Sequence, residues 1–150
     1  MKILIVESRF YEQITDNLVK GAVRELQNAG AGFKRVIVPG ILEIPSAIRY
    51  AVRSMEMRAT EERYAGYITL GCAIKGETDH YDHVCREAFA GVQNLSLLYT
   101  LSVGNGILTV HNEAQALERS SPEKRNFGGQ AARACLRMVE IKKELGLIPK

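Results

Sequence analysis

Residues 70–85 read LGCAIKGETDHYDHVC. The run opens as the end of an apolar strand (Tyr67, Ile68, Leu70), turns at Gly76 and becomes polar where a helix should start. A strand, a short loop and a helix N-terminus, in that order, form the repeating unit of a parallel α/β sheet. In such sheets ligands bind just beyond the carboxyl ends of the strands, where helix N-termini present free N–H groups and a partial positive charge. Gly76, Glu77 and Thr78 are therefore a candidate anion cradle. His80 is a candidate proton shuttle, because histidine ordinarily titrates near neutrality. The same spacing also suits an ordinary capped helix start, with Thr78 or Asp79 satisfying free N–H groups and His80 a partly exposed first-turn residue. Spacing alone leaves both readings open.

Upstream, Lys2 to Glu7 (KILIVE) is a short continuous apolar run, the pattern of a strand covered on both faces. From Tyr11 onward Ile14, Leu18, Ala22, Val23 and Leu26 recur at helical spacing, and Asn28-Ala29-Gly30 supplies a stop. Phe10 falls in the loop after this strand. It either packs over the helix start or offers a flat platform to a planar ring. Lys34 to Val38 forms a second strand, Pro39-Gly40 turns out of it, and Glu43-Ile44-Pro45 opens a helix whose apolar stripe runs from Ile44 through Ile48 and Val52 to Met55. Glu43 complements the helix dipole, or accepts hydrogen bonds from a ligand at the same sheet edge.

Downstream, the helix after His80 carries Val84, Ala88, Phe89, Val92 and Leu95 on one face. Leu95 to Val103 is more apolar than one amphipathic helix needs, which fits cover by another subunit. Gly104-Asn105-Gly106 leads into a fourth strand, Ile107 to Val110. Asn112 and Gln115 have capping-box spacing, so a short helix begins there and ends near Arg119. A polar loop, Ser120 to Asn126, precedes a last helix opened by Gly128-Gly129 and closed by Lys142, Lys143 and Gly146. Four strands alternating with helices predict an α/β fold, a three-layer α/β/α sandwich on a four-stranded parallel sheet, flavodoxin-like in architecture.

The 150 residues suit a single domain, 1–150, of ordinary composition, 46% hydrophobic and 25% charged. A net charge of +3, scattered along the chain, argues against nucleic acid and fits a small anionic ligand better. Cys72, Cys85 and Cys135 form an odd set without a CxxC pair and read as reduced, buried thiols. The N-terminal apolar run is too short for a signal-peptide core, and no stretch has the length to span a membrane, so the expected location is the cytoplasm. There is no GxGxxG and no GxxxxGK[ST]. His80, Asp82, His83 and Cys85 are close in sequence but point in different directions on a helix, so no metal site is expected.

Several blocks together resemble one enzyme family. RFYEQITDNLVKGA (9–22), VPGILEIPSAIRYA (38–51), ITLGCAIKGETDHYDHV (68–84), GILTVHNEAQALER (106–119) and the following Asn126-Phe127-Gly128 are similar, in order and spacing, to the 6,7-dimethyl-8-ribityllumazine synthases. The resemblance implies the penultimate step of riboflavin biosynthesis, a condensation of 5-amino-6-(D-ribitylamino)uracil with 3,4-dihydroxy-2-butanone 4-phosphate that releases phosphate and water and uses no cofactor. It further implies that Phe10 stacks on the pyrimidine, that Ile41, Leu42 and Glu43 hold the uracil and ribityl chain, and that Cys72, Ala73 and Ile74 line the ring pocket. Glu77, Thr78 and Arg119 would hold the phosphate, with His80 moving protons. Family sites lie between subunits of a pentamer, alone or in assemblies of pentamers, so Asn105 and Arg119 would come from the neighbouring subunit.

Two positions depart from the family's pattern: Asn105 stands where many relatives have an aromatic, and Phe127 where many have lysine. A homologue that binds a flavin or lumazine without turnover is therefore a second expectation, and an unrelated phosphate-binding α/β protein a third. His80, Glu43 and Arg119 together favour the enzyme over the binder, and the third would leave the matching blocks at both ends unexplained.

Overall fold

The computed structural model describes residues 1–148 of the chain. Four strands, β1 (Lys2–Ser8), β2 (Gly32–Val38), β3 (Gly66–Ile74) and β4 (Val103–Val110), form one sheet in the order β2-β1-β3-β4, with every pair parallel. Five helices connect and cover them: α1 (Glu12–Asn28), α2 (Ile44–Glu56), α3 (His80–Leu98), α4 (Glu113–Ser120) and α5 (Phe127–Glu144). This is the expected three-layer α/β/α sandwich of flavodoxin-like type.

The apolar runs explain the layering. In β1 the side chains alternate between faces, so Ile3 and Ile5 pack with Ile14 and Leu18 of α1 and Ala131, Ala132 and Cys135 of α5. Leu4 and Val6 point the other way, against Ile44, Ile48 and Val52 of α2 and Ala88 and Val92 of α3. A strand buried on both faces is mainly apolar, and β1 and β3 at the sheet centre are, with Glu7, Ser8 and Thr69 as their buried polar residues. The edge strand β2 is mostly half-buried or exposed.

Strand limits run longer than periodicity suggests. β3 continues past Gly71 to Ile74, because Gly71 to Ile74 stay in register with Ile107 to Val110 of β4. β4 starts at Val103 rather than after Gly106, and its two glycines sit inside the strand, where α5 packs down on the backbone. The apolar Leu95–Val103 segment divides: Leu95, Tyr99, Leu101 and Val103 pack against the α2/α3 core, whereas Leu97 and Leu98 are 71% and 73% exposed.

The order β2-β1-β3-β4 sends the chain from β1 outward to β2 and then back across β1 to β3. α1 lies on one face of the sheet and α2 on the other, so the carboxyl ends of β1 and β3 diverge into helices on opposite sides. A crevice opens at that switch point.

Candidate active site

A cavity of about 360 Å3 occupies this crevice. Three loops build it. Phe10 and Tyr11 follow β1; Gly40, Ile41, Leu42 and Glu43 follow β2; Cys72 to Ile74, Gly76, Thr78, His80, Tyr81 and Val84 come from the end of β3 and the start of α3. The volume suits a small organic ligand, and the lining is mainly apolar with a few polar groups, as ligand pockets generally are.

The β2 loop is shaped by a single 3-10 turn over Ile41–Glu43, closed by Glu43 N–H donating to the Gly40 carbonyl at 3.2 Å. Pro45, in the first turn of α2, lacks an N–H where none is needed, so the helix starts directly after Glu43. Glu43 is thereby held half-buried at the cavity wall.

The β3 loop leaves the strand at Ile74. Lys75 N–H donates to the Val110 carbonyl at 2.9 Å, extending the ladder one residue before the chain turns away. Asp79 stands at the N-cap of α3 without a side-chain capping bond; instead Thr78 Oγ1 accepts from His80 N–H at 3.3 Å. His80 is therefore the first helical residue, with its side chain exposed at the cavity. Gly76 has no positive φ, and a Cβ there would meet nothing within 4 Å, so the turn itself does not demand glycine.

Burial sets the chemistry of the walls. It pushes the Cys72 thiol up to about 12, so this side chain lines the cavity as a neutral thiol and not as a nucleophile. The Tyr81 phenol is raised by burial, partly opposed by its hydrogen bond with Thr109. Tyr11 is likewise raised by burial. Among the described residues no three His, Cys, Asp or Glu side chains converge as a metal centre requires.

Of the residues expected to form the site, Phe10, Ile41, Leu42, Glu43, Cys72, Ala73, Ile74, Thr78 and His80 all line this one cavity. Glu77, Asn105 and Arg119 do not. Glu77 is exposed on the loop. Asn105 lies opposite Thr69 in β4, where its Oδ1 accepts from Thr69 Oγ1 and from Ile107 N–H, each at 3.0 Å. Arg119 sits in the last turn of α4 and reaches its own helix's Gln115 carbonyl at 3.5 Å. Tyr11, Gly40, Tyr81 and Val84 also line the cavity and were not anticipated; each adjoins, or lies one helical turn from, a residue that was.

The model of the family described as 6,7-dimethyl-8-ribityllumazine synthase matches residues 1–143. The chain belongs to the lumazine synthase family. A 6,7-dimethyl-8-ribityllumazine synthase of Paramagnetospirillum magneticum is 53% identical over 146 residues, covering 97% of both chains. Those of Bartonella tribocorum and Agrobacterium fabrum are 46% and 45% identical over 144 residues, which cover 96% of this chain and 91% and 96% of theirs. As a lumazine synthase homologue along nearly its whole length, the protein is a transferase of riboflavin biosynthesis. Phe127 is the first residue of α5 and packs against the α1/α5 core.

Proposed function

We propose that the chain, acting as one lumazine synthase domain, condenses 5-amino-6-(D-ribitylamino)uracil with 3,4-dihydroxy-2-butanone 4-phosphate, with His80 as the proton-transfer residue. The observation that carries this reading is that His80, Phe10 and Glu43, from three separate loops, line one cavity at the sheet's switch point. A planar pyrimidine fits against the exposed Phe10 ring, Glu43 accepts hydrogen bonds from the uracil and ribityl side, and Ile41, Leu42 and the Cys72–Ile74 segment enclose the ring.

The 5-amino group attacks the ketone, water leaves and an imine forms. Phosphate then departs by elimination, and the ribitylamino nitrogen closes the second ring with loss of water. Each step moves a proton, and one expels an anion. His80 at the helix N-terminus serves the first need, and the free N–H groups around Glu77 and Thr78 the second. Acid–base help of this kind contributes about 10²- to 10⁴-fold, and holding two substrates in contact supplies much of the rest. No step calls for a cofactor.

The assembly is read as a homopentamer, alone or in larger sets, in the cytoplasm. Arg119 and Asn105 lie outside the cavity of their own chain, and the exposed Leu97 and Leu98 provide apolar surface for a neighbour to cover. Arg119 of an adjacent subunit would then complete the phosphate seat.

The test mixes purified protein with both substrates and follows lumazine absorbance against an enzyme-free control. Acceleration, cut at least about tenfold in His80→Ala, is the expected result. No acceleration from a sample that still binds lumazine would make this chain a binder without turnover.

A further inference from the structure

Glu7, near the carboxyl end of β1, is completely buried, three residues before Phe10, which lines the cavity. Arg9 donates to its Oε1 at 2.9 Å, and Arg35 of β2 donates through Nε at 2.8 Å and a terminal nitrogen at 2.7 Å. A carboxylate out of water needs such partners to stay ionised. Arg9 continues outward, donating to the Asp16 carboxylate on α1 and, at 3.5 Å, to the Glu12 carbonyl. The Thr15 hydroxyl donates to the Ser8 carbonyl at 2.6 Å. The corner between β1 and α1 is thus tied from two strands and a helix.

The residue on that corner is Phe10. It is 74% exposed, and its ring meets Tyr11 edge-on, with centroids 5.0 Å apart and planes at 73°. An aromatic with so little packing cannot fix its own direction; the backbone beneath it must. A buried carboxylate between two guanidiniums is a poor stabiliser compared with apolar residues of similar volume. Its distinctive product is a defined geometry, delivered to the residue next to Arg9.

We propose that Glu7, Arg9 and Asp16 form a positioning clamp that presets the Ser8–Tyr11 corner and so orients Phe10 for stacking on the pyrimidine substrate. The proposal deepens the functional reading above and rests on Phe10 being the ring platform. Arg9 is a positioning residue, acting through its neighbour. The Asp16 hydrogen bond is the chief cause that raises the Arg9 guanidinium above its ordinary value.

The experiment compares wild type with Phe10→Ala, Arg9→Ala, Arg9→Lys and Asp16→Ala. Steady-state rates are taken with each substrate varied in turn, and 6,7-dimethyl-8-ribityllumazine is titrated by fluorescence. Asp16 is 65% exposed, so its replacement opens the clamp's outer end without touching the core. Asp16→Ala and Arg9→Ala are expected to raise the pyrimidine KM and the lumazine Kd about three- to tenfold, while kcat and the butanone phosphate KM stay within about twofold of wild type. Arg9→Lys is expected to recover part of the loss. Wild-type values in both Arg9→Ala and Asp16→Ala, with Phe10→Ala impaired, would overturn the clamp and leave the platform standing. Unaltered ring affinity in Phe10→Ala would remove the platform, and the clamp with it. Equal rises in both KM values, or a fall in kcat alone, would overturn the clamp as well. If Arg9→Ala does not fold, Asp16→Ala decides alone.

Discussion

Gly104 of β4 and Ala131 of α5 pack backbone against backbone: a Cβ on the glycine would overlap the Ala131 carbonyl oxygen. The helix therefore lies closer to the sheet than any side chain at residue 104 allows. Gly104→Ala must push α5 away from a core that includes Ile68, Ala131 and Cys135. Overpacking of this kind costs about 1–3 kcal/mol, sometimes more. Gly76→Ala is the contrast, since its Cβ points into open space and its φ is not positive. Denaturant unfolding should show a large loss for the first and a change within about 0.5 kcal/mol for the second.

The two glycines also mark what the sequence reveals and conceals. Gly76 stands in a conspicuous polar loop and reads as a required turn; Gly104 reads as loop punctuation ahead of a strand. Local pattern cannot weigh a contact between residues so far apart in the chain as Gly104 and Ala131. Continuous runs such as KILIVE and the stripes of α1 and α2 are legible because burial on two faces, or on one helical face, leaves its period in the residues themselves. The same holds at the site. Phe10, Glu43 and His80 can be found because each follows a strand, and a parallel sheet brings strand ends together. The Glu7–Arg35 pair cannot, because it depends on which strands are neighbours.

Three buried acids make the fold sensitive to alkali. Burial raises Cys72 and Cys135 from 9.0 to about 12, and Tyr67 from 10.0 to about 12. Above about pH 9 the unfolded chain begins to release protons that the native state retains, so stability is complete below that pH and falls as pH rises toward 12. Chemical denaturation midpoints measured from neutral to alkaline pH should decline across this window. Tyr67→Phe should flatten the decline. The hydroxyl it deletes is buried without a hydrogen-bond partner among the described residues, so the variant should also gain up to about 1 kcal/mol at neutral pH. An unchanged slope in Tyr67→Phe would mean that its phenol does not contribute.

Asn126 starts α5 in two ways at once. Its backbone is left-handed, at φ 48° and ψ 53°, and its side chain accepts from Gly129 N–H at 3.2 Å. Alanine loses the cap and strains the backbone, costing about 2 kcal/mol in all, whereas glycine loses the cap but keeps the conformation freely available. Unfolding free energies should therefore rank wild type, Asn126→Gly and Asn126→Ala in falling order. Equal losses in the two variants would show that the cap alone matters.

Arg119 offers the sharpest check on a site shared between subunits. Within its own chain the guanidinium makes a weak 3.5 Å contact with the Gln115 carbonyl and lies outside the cavity that holds His80. Arg119→Ala should therefore leave stability within about 0.5 kcal/mol of wild type. If a neighbour's cavity is its destination, the variant loses a charge-assisted bond to phosphate. The butanone phosphate KM should then rise about tenfold or more while the pyrimidine KM holds. Equal rises for both substrates would count against a phosphate role. Residues supplied by different chains can also be restored separately. When Arg119→Ala and His80→Ala proteins are unfolded together in equal amounts and refolded, random assembly gives about one site in four an intact residue from each side. Activity above the sum of the two parents is expected only if the residues meet across an interface. A mixture no better than its parents would place Arg119 and His80 in the service of the same chain, or of different sites.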